Sequence, residues 1–365
     1  MRVMVTGATG YVAAHSVKAL LDAGHKVRLL VRNPDKAKTV LGALGIRSRL
    51  DCVRGDMTDE ASVLEALAGC QAVLHSAGVV STDRRRHDEM LYANPRGVEL
   101  VVGHAARLGL DPIVYVSSVA ALLDPERDEL SADLPPGTLR SGYARSKAAA
   151  ETQARKWQDE GAPVVIVYPG SVTGPAAGPM LGEAAHGLAE HVKFGALVSA
   201  DAAWSLIDAR DLGRIHASLM VKGKGPRRYM CGGHYVRMEE MARHLRRITG
   251  RDFKILPLPG SVLRGLGRMS DAIARVLPLH SVFTEEAMIC FTQQPPTDDR
   301  AVLEELGIRY RPIEQTLRAA LRAAPAAGLL GDEHIRKLAS TRRQARKGEE
   351  SSRCGSGTAF CGQRC

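Results

Sequence analysis

Tyr143 and Lys147 stand four residues apart in Tyr143-Ala144-Arg145-Ser146-Lys147, a spacing that puts a phenol and an amine on one face of a helix. A free phenol, with a pKa of about 10, exchanges protons poorly near neutrality. An ammonium held a few ångströms away favours the phenolate and tunes the pair for proton exchange with a carbonyl or an alcohol. The same amine can reach ribose hydroxyls and so orient a nucleotide. Val116-Ser117-Ser118 closes an apolar run with two hydroxyls, one of which can hydrogen-bond a substrate oxygen beside Tyr143. Tyr-x-x-x-Lys by itself is common by chance. Its place after a glycine loop and a serine-ended run makes chance a poor explanation.

The glycine loop is Thr6-Gly7-Ala8-Thr9-Gly10-Tyr11-Val12-Ala13. Gly7 permits a tight turn and Gly10 lets the backbone approach a pyrophosphate. Ala13, in place of a third glycine, is still small enough for close helix–strand packing. Phosphates would meet the amides and positive dipole end of the helix that follows, so Gly7, Thr9, Gly10, Tyr11 and Val12 are expected cofactor contacts. Arg32 stands near the end of the second apolar run, where NAD binders usually place a carboxylate. An arginine there pairs with a 2′-phosphate, which makes NADP the expected cofactor and NAD the second choice. Asp35, after Pro34, opens the next helix. In Gly55-Asp56-Met57-Thr58-Asp59, Asp56 and Met57 are expected near the adenine. Asp56 or Thr58 can equally cap the helix from 59, with Asp59 in its first turn.

These residues need elements to carry them. Short apolar runs at 2–6, 26–31, 51–54, 71–75, 112–117 and 163–168 alternate with helical patterns at 11–23, 35–44, 59–68, 88–108 and 143–160. Such alternation means βαβ units, and right-handed crossovers give an α/β, doubly wound parallel sheet of the Rossmann kind. Ligands of such sheets bind beyond the carboxyl ends of the strands. After about residue 170 the rhythm changes. Residues 174–203 are rich in Gly, Ala and Pro without a strong period. A strand-like 206–210, a strand at 227–233, a helix at 237–249 closed by Gly250 and a strand at 253–259 follow. The expected organisation is a dinucleotide-binding domain (1–173), a smaller substrate lobe interwoven with it (174–325) and a basic tail (326–365). Arg264, Arg268 and Arg275 fall at helical spacings, as on a lid helix over an apolar substrate; lying on a membrane surface is the less favoured reading.

Composition narrows the function classes. Of 365 residues 45% are hydrophobic and 25% charged, as in a globular protein, and no apolar run is long enough to span a bilayer. The strand-like start at Met1 leaves no room for a leader peptide, so the cytoplasm is the expected compartment. The net charge is +10, and the last forty residues carry eight Lys/Arg against four Asp/Glu. A solvated tail explains that excess better than nucleic-acid binding, since the body has no such motif and aromatics make up 4% of the chain. Cys52, Cys70, Cys231 and Cys290 read as small apolar residues, Cys354, Cys361 and Cys365 lie in the tail, and no zinc-binding spacing occurs; no metal is expected. Gly362 stands where a prenylation box would need cysteine. His75, at a strand end, is expected to be a satisfied structural histidine, and Asp208 and Asp211 to serve in capping and packing.

In combination, TGATGYVAAH (6–15), GDMTD (55–59), AVLHSAG (72–78), YVSSVA (115–120), YARSKAAAE (143–151) and YPGSVTGP (168–175) resemble an extended short-chain dehydrogenase/reductase of the NAD(P)-dependent epimerase/dehydratase family. The likeness runs from residue 1 to about 320. It implies Tyr143 as catalytic acid/base, Lys147 as its pKa-lowering and ribose-binding partner, and Ser118 rather than Ser117 as the substrate-orienting hydroxyl. It implies further cofactor contacts at Ala77, Gly78, Ser117, Pro169, Gly170 and Val172, a recurring helix asparagine at Asn94, and a dimer. Val119 and Ala120 replace the acidic pair of sugar dehydratases, and Ala121-Leu122-Leu123 departs from the pattern of many sugar epimerases. The closer likeness is to dihydroflavonol-reductase-like and 3β-hydroxysteroid-dehydrogenase-like members, which interconvert a ketone and a secondary alcohol on a fairly apolar small molecule. The competing readings are a nucleotide-sugar epimerase that retains NAD and a regulator that senses NADP without turnover. The Tyr/Lys pair argues against the second. The substrate itself is set by 174–205 and 260–295, which carry no transferable motif.

Overall fold

A computed structural model describes residues 1–81, 84–139, 141–199, 202–274 and 284–335. Arg275 and the cysteines of the tail lie outside them. The first half alternates β1 (Arg2–Thr6), α1 (Tyr11–Asp22), β2 (Lys26–Val31), α2 (Pro34–Ala43), β3 (Asp51–Arg54), α3 (Glu60–Leu67), β4 (Ala72–His75), α4 (His87–Arg107), β5 (Ile113–Val116), α5 (Gly142–Asp159) and β6 (Val164–Pro169). The second half adds β7 (Ser171–Thr173), α6 (Glu183–Phe194), β8 (Ala196–Ser199), β9 (Ala203–Asp208), α7 (Ala209–Ser218), β10 (Arg227–Cys231), β11 (His234–Arg237), α8 (Met238–Thr249), β12 (Lys254–Pro257), α9 (Gly260–Ile273), α10 (Glu285–Gln293), α11 (Arg300–Glu305) and α12 (Ile313–Ala323).

Seven strands form one parallel sheet in the order β10-β6-β5-β4-β1-β2-β3. Every residue of β4, β5 and β6 is buried, as continuous apolar strands must be when helices cover both faces. Two apolar clusters fill the two sides of this sheet. The order reverses between β1 and β4, so the crevice for a ligand opens above Thr6 and His75, which are register partners. The helices start where local chemistry dictates. Asn33 caps α2 by accepting from the Lys36 amide at 3.0 Å, with Pro34 first in the helix, and Ser141 caps α5 by accepting from the Ala144 amide at 3.0 Å.

The chain beyond 173 serves both layers. It builds a three-stranded sheet (β11-β9-β7), the pair β12-β8 and a third apolar cluster with α6, α8 and α12. It also returns β10 to the edge of the main sheet beside β6. α7 lies on α1 so closely that a Cβ on Gly213 would sit 2.8 Å from the His15 carbonyl oxygen. Asp208 caps α7 and accepts from Thr316 Oγ1 at 2.8 Å, while buried Asp211 accepts from Arg214 and the Arg311 amide, both at 2.7 Å. These carboxylates tie the stretch around Arg311 and Thr316 to α7.

Two expectations need correction. Residues 174–203 contain α6, whose buried stripe is Ala185, Leu188, Ala189 and Val192. Alanine is weakly apolar, so the stripe hardly registers as a period; Gly195, left-handed at φ 65°, is the stop signal that marks it. At α3 the cap is Asp59, whose carboxylate accepts from the Ser62 amide at 3.0 Å, rather than Asp56 or Thr58.

Candidate active site

The phosphate cradle is shaped by backbone approach. Gly7 has φ +80°, and a Cβ there would lie 2.8 Å from the Ala77 amide nitrogen. No side chain but hydrogen fits, which brings the chain after β4 against the turn after β1. Thr6 Oγ1 braces the junction, accepting from the Ser76 amide at 3.2 Å and the Ala77 amide at 3.0 Å. α1 begins at Gly10 with no side-chain cap and no acid in its first turn, which leaves its leading amides and dipole to an anion. This open, glycine-walled helix start fits a dinucleotide's pyrophosphate.

The loop residues are not alike. Thr9 and Gly10 are half-buried at the turn. The Tyr11 side chain turns inward and donates to the Pro175 carbonyl at 3.0 Å, so it offers a ligand its amide and not its phenol. Val12 packs against the core. Met57 likewise turns inward, and a Cβ on Gly97 would meet its sulphur at 2.8 Å.

Beyond the glycine turn lies a groove of about 560 Å³ lined by Arg32, Arg54, Gly55, Asp56, Asp59 and Ser62 among others. Arg32 is 82% exposed, with Nη1 at 3.8 Å from Asp56. Asp56 is already engaged, accepting from Thr58 N at 2.9 Å and Thr58 Oγ1 at 2.8 Å.

At the other end, α5 carries half-buried Tyr143 and buried Lys147. Lys147 Nζ donates to the Val116 carbonyl at 3.3 Å and lies 5.7 Å from the centre of the Tyr115 ring. A Cβ on Gly78 would fall 3.7 Å from the same nitrogen. Burial pushes the lysine down to about 8, and the Glu151 carboxylate pulls the other way. Asn94 clamps the neighbourhood: it accepts from the Val79 amide at 2.7 Å and donates to the Val79 carbonyl at 3.0 Å and to Ser146 Oγ at 2.9 Å.

The two serines part company. Ser118 is half-buried and its Oγ accepts from the Ala120 amide at 3.2 Å. Ser117 is buried and donates to Glu151 at 2.9 Å, which turns its hydroxyl away from the crevice. The chain leaves β6 at Pro169, and Gly170 donates its amide to the Cys231 carbonyl at 3.0 Å. A Cβ on Gly170 would press on the Gly232 and Ser205 carbonyls at 2.7 and 2.8 Å, and half-buried Val172 follows in β7.

His75 is fully enclosed, hydrogen-bonded to Thr6 Oγ1 at 2.8 Å and stacked on Tyr115. Burial, then the charge of Lys147, push it down to about 3, so it stays neutral and structural. Among the described residues no His, Cys, Asp or Glu cluster could hold a metal ion, and no helix is long and apolar enough to cross a membrane.

Comparison with known proteins bears on the family and the fold. The chain is 30% identical to cinnamoyl-CoA reductase 1 of Arabidopsis thaliana over 70% of its own length and 76% of that protein's. It is 27% identical to a putative dihydroflavonol 4-reductase of Synechocystis over 87% and 92% of the two chains. The solved structure of gox2253 superposes with a TM-score of 0.73 at 23% identity, covering 90% of this chain and 99% of the other. Residues 3–232 match the profile of the NAD dependent epimerase/dehydratase family, and the chain belongs to that family.

Proposed function

We propose that this protein is an NADP-dependent reductase or dehydrogenase that interconverts a ketone and a secondary alcohol on a fairly apolar small molecule. The chain is an NAD(P)-dependent oxidoreductase of the short-chain dehydrogenase/reductase type. The observation that carries the finer reading is the buried Lys147 one helical turn below Tyr143, beside the strand end that presents Ser118. A bound nicotinamide would supply or accept the hydride. Ser118 Oγ orients the substrate oxygen, Tyr143 Oη gives it a proton in reduction and takes one in oxidation, and the Lys147 ammonium stabilises the phenolate in between. Lys147 also reaches toward Gly78, along which the ribose would lie. Arg32 and Arg54, cations on one groove, favour a 2′-phosphate, because Arg32 stands where a ribose-binding carboxylate would otherwise repel it. Relatives named putative dihydroflavonol 4-reductase of Synechocystis and sterol demethylase protein B of Methylococcus capsulatus support an apolar substrate.

The test is nicotinamide absorbance with NADPH against a panel of ketones, aldehydes, sterols and nucleotide sugars. Tyr143→Phe should abolish turnover of whichever substrate responds while NADPH still binds. Turnover that survives in that variant overturns the mechanism. Purified protein carrying stoichiometric NAD would replace the reading with sugar epimerisation.

A further inference from the structure

Beneath the site lies a polar cluster that the reaction as described does not use. Glu151 is one helical turn beyond Lys147 on α5 and has no exposed surface. Its Oε2 accepts from Ser117 Oγ at 2.9 Å. Its Oε1 accepts from Arg155 Nε at 2.7 Å and from the hydroxyl of Tyr168 on β6. Arg155 Nη2 in turn donates to Tyr168 at 3.1 Å. One carboxylate thus joins β5, β6 and α5 directly below the reacting groups. A buried carboxylate is costly unless it is paired, and Arg155 offsets that cost here. The field of the carboxylate still has room for a second use.

The groups facing Lys147 supply one. From β4 comes His75, neutral; from β5 the Tyr115 ring and the Val116 carbonyl; from the loop after β4 Gly78, with Asn94 of α4 beyond it; from α5, one turn on, Glu151. Among these described neighbours Glu151 is the one carboxylate. We infer that Glu151 is a positioning residue of the proton-transfer site, holding Lys147 as an ammonium and fixing the Ser117 end of β5 from below. The inference rests on the reductase reading for its consequence in catalysis, but the state of Lys147 can be measured without turnover.

Glu151→Gln keeps the shape and removes the charge. In the full-length, cofactor-free protein with ¹³C-labelled lysine, the Lys147 signal, identified by its loss in Lys147→Met, is followed by NMR across pH. Glu151→Gln should move its titration at least one unit toward acid. In alcohol oxidation the phenolate limb of the kcat profile should move upward in pH, lowering kcat about tenfold at pH 7 with KM little changed. An unmoved lysine titration overturns the inference, even where activity falls. Should Glu151→Gln fail to fold, Arg155→Gln decides: it leaves the carboxylate without its neutralising cation, so the Lys147 titration should move upward, and no movement overturns the proposal. Failure of the reductase reading would instead appear as turnover retained in Tyr143→Phe, with the lysine titration still answering for Glu151.

Discussion

The two ends of the crevice are built on opposite plans. At the Tyr143 end the polar groups beneath the surface are tied into the core: Ser117 and Tyr168 to Glu151, Thr6 to His75, Asn94 across to Ser146. At the Arg32 end the arginine projects into solvent, and Asp56 is satisfied by its own near neighbour Thr58. Chemistry demands fixed geometry and a dry, controlled field, which need packed elements and satisfied hydrogen bonds. Selection between cofactors, as proposed for Arg32, would need one charge of the right sign, which a surface arginine delivers at little structural cost. Changes at the first end should therefore disturb stability and turnover together, and changes at the second should disturb selection alone.

The strongest way to break this contrast is Tyr143→Phe. Removing a general acid/base typically costs about 10²- to 10⁴-fold, so kcat should drop by that order while NADPH affinity, followed by its fluorescence, changes little. Lys147→Met should also lose turnover, yet melt higher. The buried lysine titrates near 8 in the folded chain against an ordinary 10.5, so the folded state releases its proton first as pH rises. Stability should climb between pH 8 and 10.5, and the variant should lack that climb. It should gain about 3 kcal/mol at neutral pH. Denaturant melts across that window check it, and an unchanged or lowered midpoint would contradict a strained, functional lysine.

A third, smaller effect comes from acid. His75 is held near 3 while an unfolded histidine protonates near 6.5, so stability is intact above 6.5 and is lost as pH falls toward 3. At pH 5 that amounts to about 2 kcal/mol, readable as a lowered melting temperature. Burial likewise holds His216 of α7, hydrogen-bonded to Ser16 of α1, near 3 and adds to the same slope. A melting temperature flat from pH 7 to 4.5 would refute both assignments. The smallest change sharpens the comparison at the open end. Arg32→Asp should weaken NADPH about tenfold, weaken NADH much less, and leave the melting temperature where it was. Equal loss for both cofactors would remove the NADP assignment.

Much of this was readable in the chain. The strand runs of the first half fall within a residue or so of the observed β1 to β6, because strands covered on both faces are continuous apolar runs. Where signals were local but ambiguous, folding chose between them. Asp56, Thr58 and Asp59 all have capping side chains, and only the start of α3 shows that Asp59 does it. Ser117 and Ser118 are adjacent hydroxyls just past β5; one is buried against Glu151 and the other is half-buried at the start of a 3-10 turn. Glu151 itself stood in the motif four residues after Lys147, but a carboxylate on a helix reads as solvated until β6 and Arg155 are seen to enclose it. α6 was hidden by its alanines, and β10 read as a strand without revealing that its partner was β6.

Short-range chemistry was the part the chain could announce by itself: where glycine must turn, where a helix starts, which residues pair a phenol with an amine. Those depend on neighbours within a turn or a strand. Only the tertiary structure decided which hydroxyl faces the crevice, which acid is buried beneath it, and how strongly burial shifts Lys147 and His75. Those outcomes depend on desolvation and on groups brought together from distant parts of the chain, and neither is a property of any segment alone.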